Sequence, residues 1–129
     1  MLSKSINDDE KSIVRIIRIY AGEDGKSHFE DIDLQLTNAG EIGKLSEIQP
    51  ATGIMFRDNH SDYFQDWHNA PRRQYNILLE GEIEIEIGDG TKRRFCSGDI
   101  FLAEDTSGQG HRTRSISQRH YRSVFVTVD

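Results

Sequence analysis

The side chains best suited to chemistry are two histidines that lie far apart in the sequence, each followed by other polar groups. His68 precedes Gln74 and Asn76, and alternate residues of an extended strand point to the same face. His111, near the other end of the chain, shares strand parity with Thr113 in the same way. Imidazole nitrogens are good ligands for most divalent transition metals. The spacing therefore predicts one polar site to which two distant strands each contribute a histidine.

Four further side chains near these histidines are candidates for contact with a substrate. Asn76 lies on the polar face of its strand, and Tyr63 either forms an aromatic wall or packs in the core. Arg72 either extends the same polar face and binds an anionic substrate or lies in a solvated loop. An inward arginine needs a partner, because an unpaired buried charge is unfavourable. Asp105, in a loop before His111, is either that partner or a residue that caps a turn. The sequence thus predicts substrate contacts at Arg72, Asn76, Asp105 and Tyr63.

Short β-strands must position these side chains, because the apolar residues recur with a period of two and no long helical pattern is present. The Asp89-Gly90 pair favours a tight hairpin turn, since such turns need positive φ angles. The predicted strands span residues 13–20, 31–36, 44–48, 54–57, 74–79, 82–87, 93–96, 100–103, 111–116 and 121–128. Many short strands separated by regular turn signals predict an all-β sandwich or barrel.

Length and composition restrict the classes of protein that this chain can belong to. Its 129 residues fit one domain, predicted over residues 12–129 and preceded by a polar arm at residues 1–11. The net charge of −6 argues against nucleic acid as a partner, and no apolar run is long enough for a membrane span. The single cysteine, Cys96, excludes an internal disulfide, and we expect it to be a small buried apolar residue. These features indicate a cytoplasmic protein.

Residues 67–114 resemble the cupin superfamily, whose two sequence motifs carry the metal ligands of a small β-barrel. The matching positions are the first-motif histidine at His68, the glutamate position at Gln74, the closing glycine at Gly81, the start of the second motif at Gly98 and its histidine at His111. The same stretch is similar to small uncharacterised bacterial cupin-domain proteins. The resemblance implies a double-stranded antiparallel β-helix, the jelly-roll barrel, as the fold.

The resemblance also implies a metal site, although two of the family's ligand positions differ from the pattern. Ala70 stands where the family has a second histidine, and Gln74 replaces a carboxylate by a neutral amide. The residues carried over as metal ligands are His68, Gln74 and His111, for Fe, Mn, Ni or Zn. A fourth ligand could come from His28, His60 or Asp105, and no spacing argument chooses among them.

Two functions from different classes follow from this site, and whether the protein is an enzyme stays open at this point. One is a metal-dependent isomerase, lyase or dioxygenase acting on a small polar or anionic metabolite inside the barrel, with Arg72 holding its carboxylate. The other is a metal-free cupin that binds a small ligand without catalysis. We also expect a homodimer, because Tyr75, Ile77 and Leu79 form an apolar strand face opposite the polar one.

Overall fold

The computed structural model describes residues 13–129, so the predicted polar arm at residues 1–11 lies outside the described residues. Nearly every element is a β-strand, which confirms the predicted all-β class; the exception is one short 3-10 turn, Gly40–Ile42. The strands are β1 (Ile13–Ala21), β2 (Ser27–Gln35), β3 (Thr37–Asn38), β4 (Lys44–Leu45), β5 (Gly53–Asn59), β6 (Phe64–His68), β7 (Gln74–Glu80), β8 (Ile83–Glu86), β9 (Lys92–Phe95), β10 (Ile100–Glu104), β11 (His111–Ser115) and β12 (Tyr121–Thr127). No helix in this part of the chain is long and apolar enough to span a membrane.

Two main sheets are formed. The larger sheet has the order β2-β1-β10-β7-β12-β5, and the smaller has the order β6-β11-β8-β9; β3 and β4 make a separate two-stranded ribbon. β1 pairs in parallel with β10, while the other paired strands run antiparallel. Strands that are distant in sequence are therefore neighbours in each sheet.

The two sheets pack face to face through one apolar core. Ile83 and Ile85 of β8 point inward and are fully buried, where they meet Leu78 of β7 and Tyr121 of β12 from the larger sheet. The intervening glutamates of β8 point outward and pair with arginines of β11, so the alternation predicted for this strand is observed. This period of two places one face of each strand in the interior.

The prediction that Cys96 is buried is wrong, because Cys96 is exposed. β9 ends one residue earlier, at Phe95, and the Phe95 side chain takes the inward position. Cys96 then lies in the turn before β10, where its backbone N–H donates to the Asp99 carboxylate at 2.8 Å. Phe95 and Cys96 are adjacent, and the sequence of residues 93–96 does not reveal that the strand ends between them.

Candidate functional site

A cavity of about 280 Å³ lies inside the sandwich and is lined by side chains from both sheets. Its volume is just below the range of roughly 300–1,000 Å³ for drug-sized ligands, which suits a small metabolite. Of the seven predicted site residues, five line this cavity: His68, Gln74, Asn76, His111 and Tyr63. The structure thus brings together residues that are widely separated in sequence.

The two histidines face each other across neighbouring strands of the smaller sheet. His111 of β11 is the register partner of His68 of β6, and their ring centroids are 4.4 Å apart at an interplanar angle of 61°. Gly110 permits this approach: its φ is +79°, and a Cβ at that position would lie 2.0 Å from the carbonyl oxygen of His68. A side chain at residue 110 would therefore force the two strands apart.

Hydrogen bonding fixes the tautomer of His68. Its Nδ1 lies 2.7 Å from the backbone carbonyl oxygen of Asp66, and a carbonyl can only accept, so Nδ1 carries the proton. The lone pair is then on Nε2. Burial is the main reason why the pKa of His68 falls below its usual 6.5, with the hydrogen bond to Asp66 acting in the opposite direction. His68 is consequently a neutral imidazole at pH 7.

His111 is held by a buried carboxylate that the sequence assigned to a different role. Its Nδ1 donates to Asp105 Oδ2 at 2.6 Å, and the hydroxyl of Ser27 on β2 donates to the same oxygen at 2.6 Å. Asp105 has no exposed surface and does not line the cavity, so the prediction that it contacts a substrate is not supported by its position. It lies behind His111 and occupies Nδ1, so Nε2 is the ring nitrogen left to contact a ligand. Ser27 had no sequence signal, because its link to Asp105 spans 78 residues.

Arg72 does not face the cavity, contrary to the sequence prediction. It is exposed, and its closest polar contact is from Nη1 to Gln74 Oε1 at 3.4 Å. β7 begins at Gln74, so Arg72 lies in the turn before it, where strand parity does not apply. The arginine in the cavity wall is instead Arg57 of β5. The sequence gives no signal for it, because the three apolar residues before it on β5 are all exposed.

The donor set of this cavity does not fit a tightly bound divalent metal. The two imidazoles and the Gln74 amide carry no negative charge to balance a divalent cation, and Arg57 adds a positive charge to the same wall. Within residues 13–129 there is no group of three or more His, Cys, Asp or Glu side chains placed to share one ion. None of the three candidates for a fourth ligand lines the cavity. Asp105 lies behind His111, His28 contacts Asp24, and His60 packs against another surface histidine.

Comparison with known proteins supports the fold alone. No family model matches the chain. Over 77 residues it is 26% identical to the oryzines biosynthesis cluster protein J of Aspergillus oryzae, a match that spans 59% of this chain and 41% of that protein. Among solved structures, the cupin domain of Cnp3 from Schizosaccharomyces pombe superposes with a TM-score of 0.50 and 12% identity, covering 92% of this chain and 86% of that one.

A Cupin 2 conserved barrel domain protein from Salinispora arenicola CNS-205 gives a TM-score of 0.48 and 15% identity, over 74% of this chain and 76% of that one. Identities this low concern the fold alone. The cupin-type jelly roll predicted from the sequence is therefore confirmed by the Cnp3 domain, whose likeness extends over almost the whole chain.

Proposed function

We propose that this cupin barrel binds a small polar metabolite in its cavity and transfers a proton at His111 without the help of a metal ion. The observation that carries the proposal is the buried contact of 2.6 Å between His111 Nδ1 and Asp105 Oδ2. A histidine held in one tautomer by a buried carboxylate can take up a proton at its other nitrogen, because the carboxylate stabilises the imidazolium that forms.

The proton transfer suits a carbon acid. His111 Nε2 removes a proton from a C–H bond next to a carbonyl group, and the electron pair of that bond is delocalised as an enolate on the ligand. Return of the proton to a neighbouring atom gives an isomer. Departure of a leaving group from the enolate, with the proton of His111 passing to that group, gives an elimination product. Of the activities expected from the sequence, the isomerase and lyase classes fit this chemistry.

The remaining polar side chains of the cavity suit the binding of hydroxyl and carbonyl groups. His68 is neutral and offers a lone pair at Nε2, so it accepts a hydrogen bond from a ligand hydroxyl. Asn76 donates from Nδ2 to the hydroxyl of Tyr121 at 3.4 Å, while its buried Oδ1 has no hydrogen-bond partner among the described residues. Buried polar atoms are nearly always paired, so a ligand donor is a suitable partner for this oxygen.

Hydrogen exchange from solvent tests the proposal without knowledge of the natural substrate. The protein, treated with EDTA, is incubated in D₂O with pyruvate, acetoacetate, dihydroxyacetone phosphate or fructose 6-phosphate, and loss of C–H signals is followed by proton NMR. We expect the wild-type protein to accelerate exchange in at least one of these compounds and His111→Asn to abolish that acceleration.

A matched control is His120→Asn, which removes an exposed histidine whose Nδ1 lies 3.1 Å from Asp58 and should leave exchange unchanged. Exchange that appears only after addition of Fe(II), Mn(II), Ni(II) or Zn(II) would overturn the metal-free mechanism and favour the metal-dependent enzyme. Binding of these compounds with no exchange in any of them would favour the cupin that binds a ligand without catalysis.

A further inference from the structure

Arg57 is the residue of the cavity wall with a permanent charge, and it lacks a carboxylate partner among residues 13–129. Most other arginines of the described chain form ion pairs with aspartate or glutamate side chains. Three more, Arg72, Arg94 and Arg119, have no such pair within that range, but they are exposed and water solvates them. Arg57 is half-buried, so its charge is only partly solvated.

Aromatic rings hold the Arg57 guanidinium in one orientation. Its central carbon lies 4.4 Å from the ring centroid of Phe125, 4.7 Å from that of Tyr121 and 5.5 Å from that of Tyr63. Such contacts stabilise a cation, but an aromatic face accepts no ordinary hydrogen bond from the guanidinium edge. The rings therefore orient Arg57 and leave most of its donors available.

The hydrogen bonds of Arg57 are incomplete. Nη2 donates to the hydroxyl of Tyr121 at 2.5 Å, whereas Nε is buried and has no partner in the part of the chain that the structure describes. A guanidinium has five N–H donors in a planar fork that matches two oxygens of a carboxylate or phosphate. The described lining of the cavity contains no acidic side chain that could occupy this fork.

We infer that the ligand of this cavity carries an oxyanion, a carboxylate or a phosphate group, and that Arg57 binds it. The inference rests on the proposed function insofar as the cavity is the ligand site, but it does not depend on proton transfer. It moves the anion-binding role predicted for Arg72 to Arg57. Burial and His111 lower the pKa of His68 more than Arg57 does, so an anion at Arg57 should raise that pKa only slightly.

NMR of the histidine side chains tests the inference, with acetate and inorganic phosphate as the anionic probes and acetamide as a neutral analogue of acetate. We expect acetate, phosphate or both to shift the imidazole resonances of His68 in a saturable way, and acetamide to do so far more weakly. Arg57→Gln should weaken anion binding by about tenfold or more, as expected for loss of a charge-assisted contact. Arg122→Gln is the matched control, because Arg122 is exposed and pairs with Asp58.

Two further measurements keep the test decisive if Arg57→Gln folds poorly. Arg57→Lys retains the charge without the fork and should bind the probes with intermediate strength, and the comparison of acetate with acetamide needs no variant at all. Equal shifts from acetamide and acetate, no response to either anion, or loss of binding in Arg72→Gln but not in Arg57→Gln would each overturn the inference. Anion binding at Arg57 in a protein that catalyses no hydrogen exchange would support the inference while the proposed proton transfer fails.

Discussion

Comparison of Gly110→Ala with Gly90→Ala separates two contributions to the loss of stability, that of the close strand approach and that of an unfavourable backbone angle. Gly110 precedes His111 directly, and a Cβ there would lie 2.0 Å from the carbonyl oxygen of His68 and 2.5 Å from its carbonyl carbon. Relief of this overlap requires the first distance to reach about 3.4 Å, the start of ordinary van der Waals contact. The backbones of β6 and β11 must therefore move apart by more than an ångström at the histidine pair.

The magnitude follows from comparison with a glycine that has a similar backbone angle and no steric contact. Gly90 has a φ of +90°, against +79° for Gly110, and apart from Gly90 and its two chain neighbours no described residue has an atom within 4 Å of the point that a Cβ of residue 90 would occupy. Gly90→Ala should lower the free energy of unfolding by about 1–2 kcal/mol, the cost of an L residue in the left-handed region. Gly110→Ala should lower it by a further 1–3 kcal/mol, roughly the range for steric overpacking of a buried site.

Guanidinium chloride denaturation of both variants measures this difference, and NMR titration reports on the site itself. Because burial lowers the pKa of His68, opening the strands in Gly110→Ala should move that pKa back towards 6.5, whereas Gly90→Ala should leave it unchanged. Equal destabilisation by the two variants, together with an unchanged pKa of His68, would refute the argument that Gly110 sets the spacing of the histidine pair.

Three further predictions concern pH, metal and assembly. Folding lowers the pKa of His68, so the unfolded chain binds more protons than the folded one as the pH falls below 6.5, and the free energy of unfolding decreases. In His68→Gln this part of the decrease should disappear from denaturation curves recorded across that pH range. The parent should bind Zn²⁺ or Ni²⁺ only weakly in isothermal titration calorimetry. The double variant Ala70→His, Gln74→Glu should bind these ions at least about tenfold more tightly, because it adds an imidazole and a negative charge. Equal affinity of the parent and the variant would contradict the assigned position of the site. Light scattering at micromolar concentration should give the mass of a homodimer. Ile48 is 97% exposed and lines an open apolar depression on the outer face of the larger sheet, so Ile48→Glu should produce monomers. Ile42→Glu, outside that depression, should leave the dimer intact, and a monomeric parent would contradict the predicted dimer.

Strand parity explains why the sequence correctly predicts that Gln74 and Asn76 line the cavity. Gln74 and Asn76 point inward because they alternate with Tyr75 and Ile77 on a continuous strand, and both are buried in the cavity wall. Parity fails at Arg72, since the strand begins two residues later and a turn does not preserve the alternation. The rule therefore holds only as far as the ladder of hydrogen bonds extends.

Residues that depend on distant contacts could not be predicted from local patterns. Asp105 lies in a loop, where nothing in the sequence specifies that it will lie behind His111 rather than beside a ligand. Arg57 belongs to an edge strand that contributes a single charged side chain to the cavity, and its aromatic neighbours on β12 follow it by more than 60 residues. The pairing of β5 with β12 decides both of these contacts of Arg57, and no short motif encodes that pairing.

The hydrogen bond between Ser27 and Asp105 has a consequence for the order of folding events. It joins residues 78 positions apart, and it can form only after the β1–β2 hairpin has docked onto β10 through the parallel pairing of Ile17 with Phe101. Closing a loop of this length is entropically unfavourable, and contacts between distant residues slow folding. We therefore expect the carboxylate that orients His111 to gain its contact with Ser27 late, so that a refolding chain recovers most of its β-structure before its histidine pair is ready for chemistry.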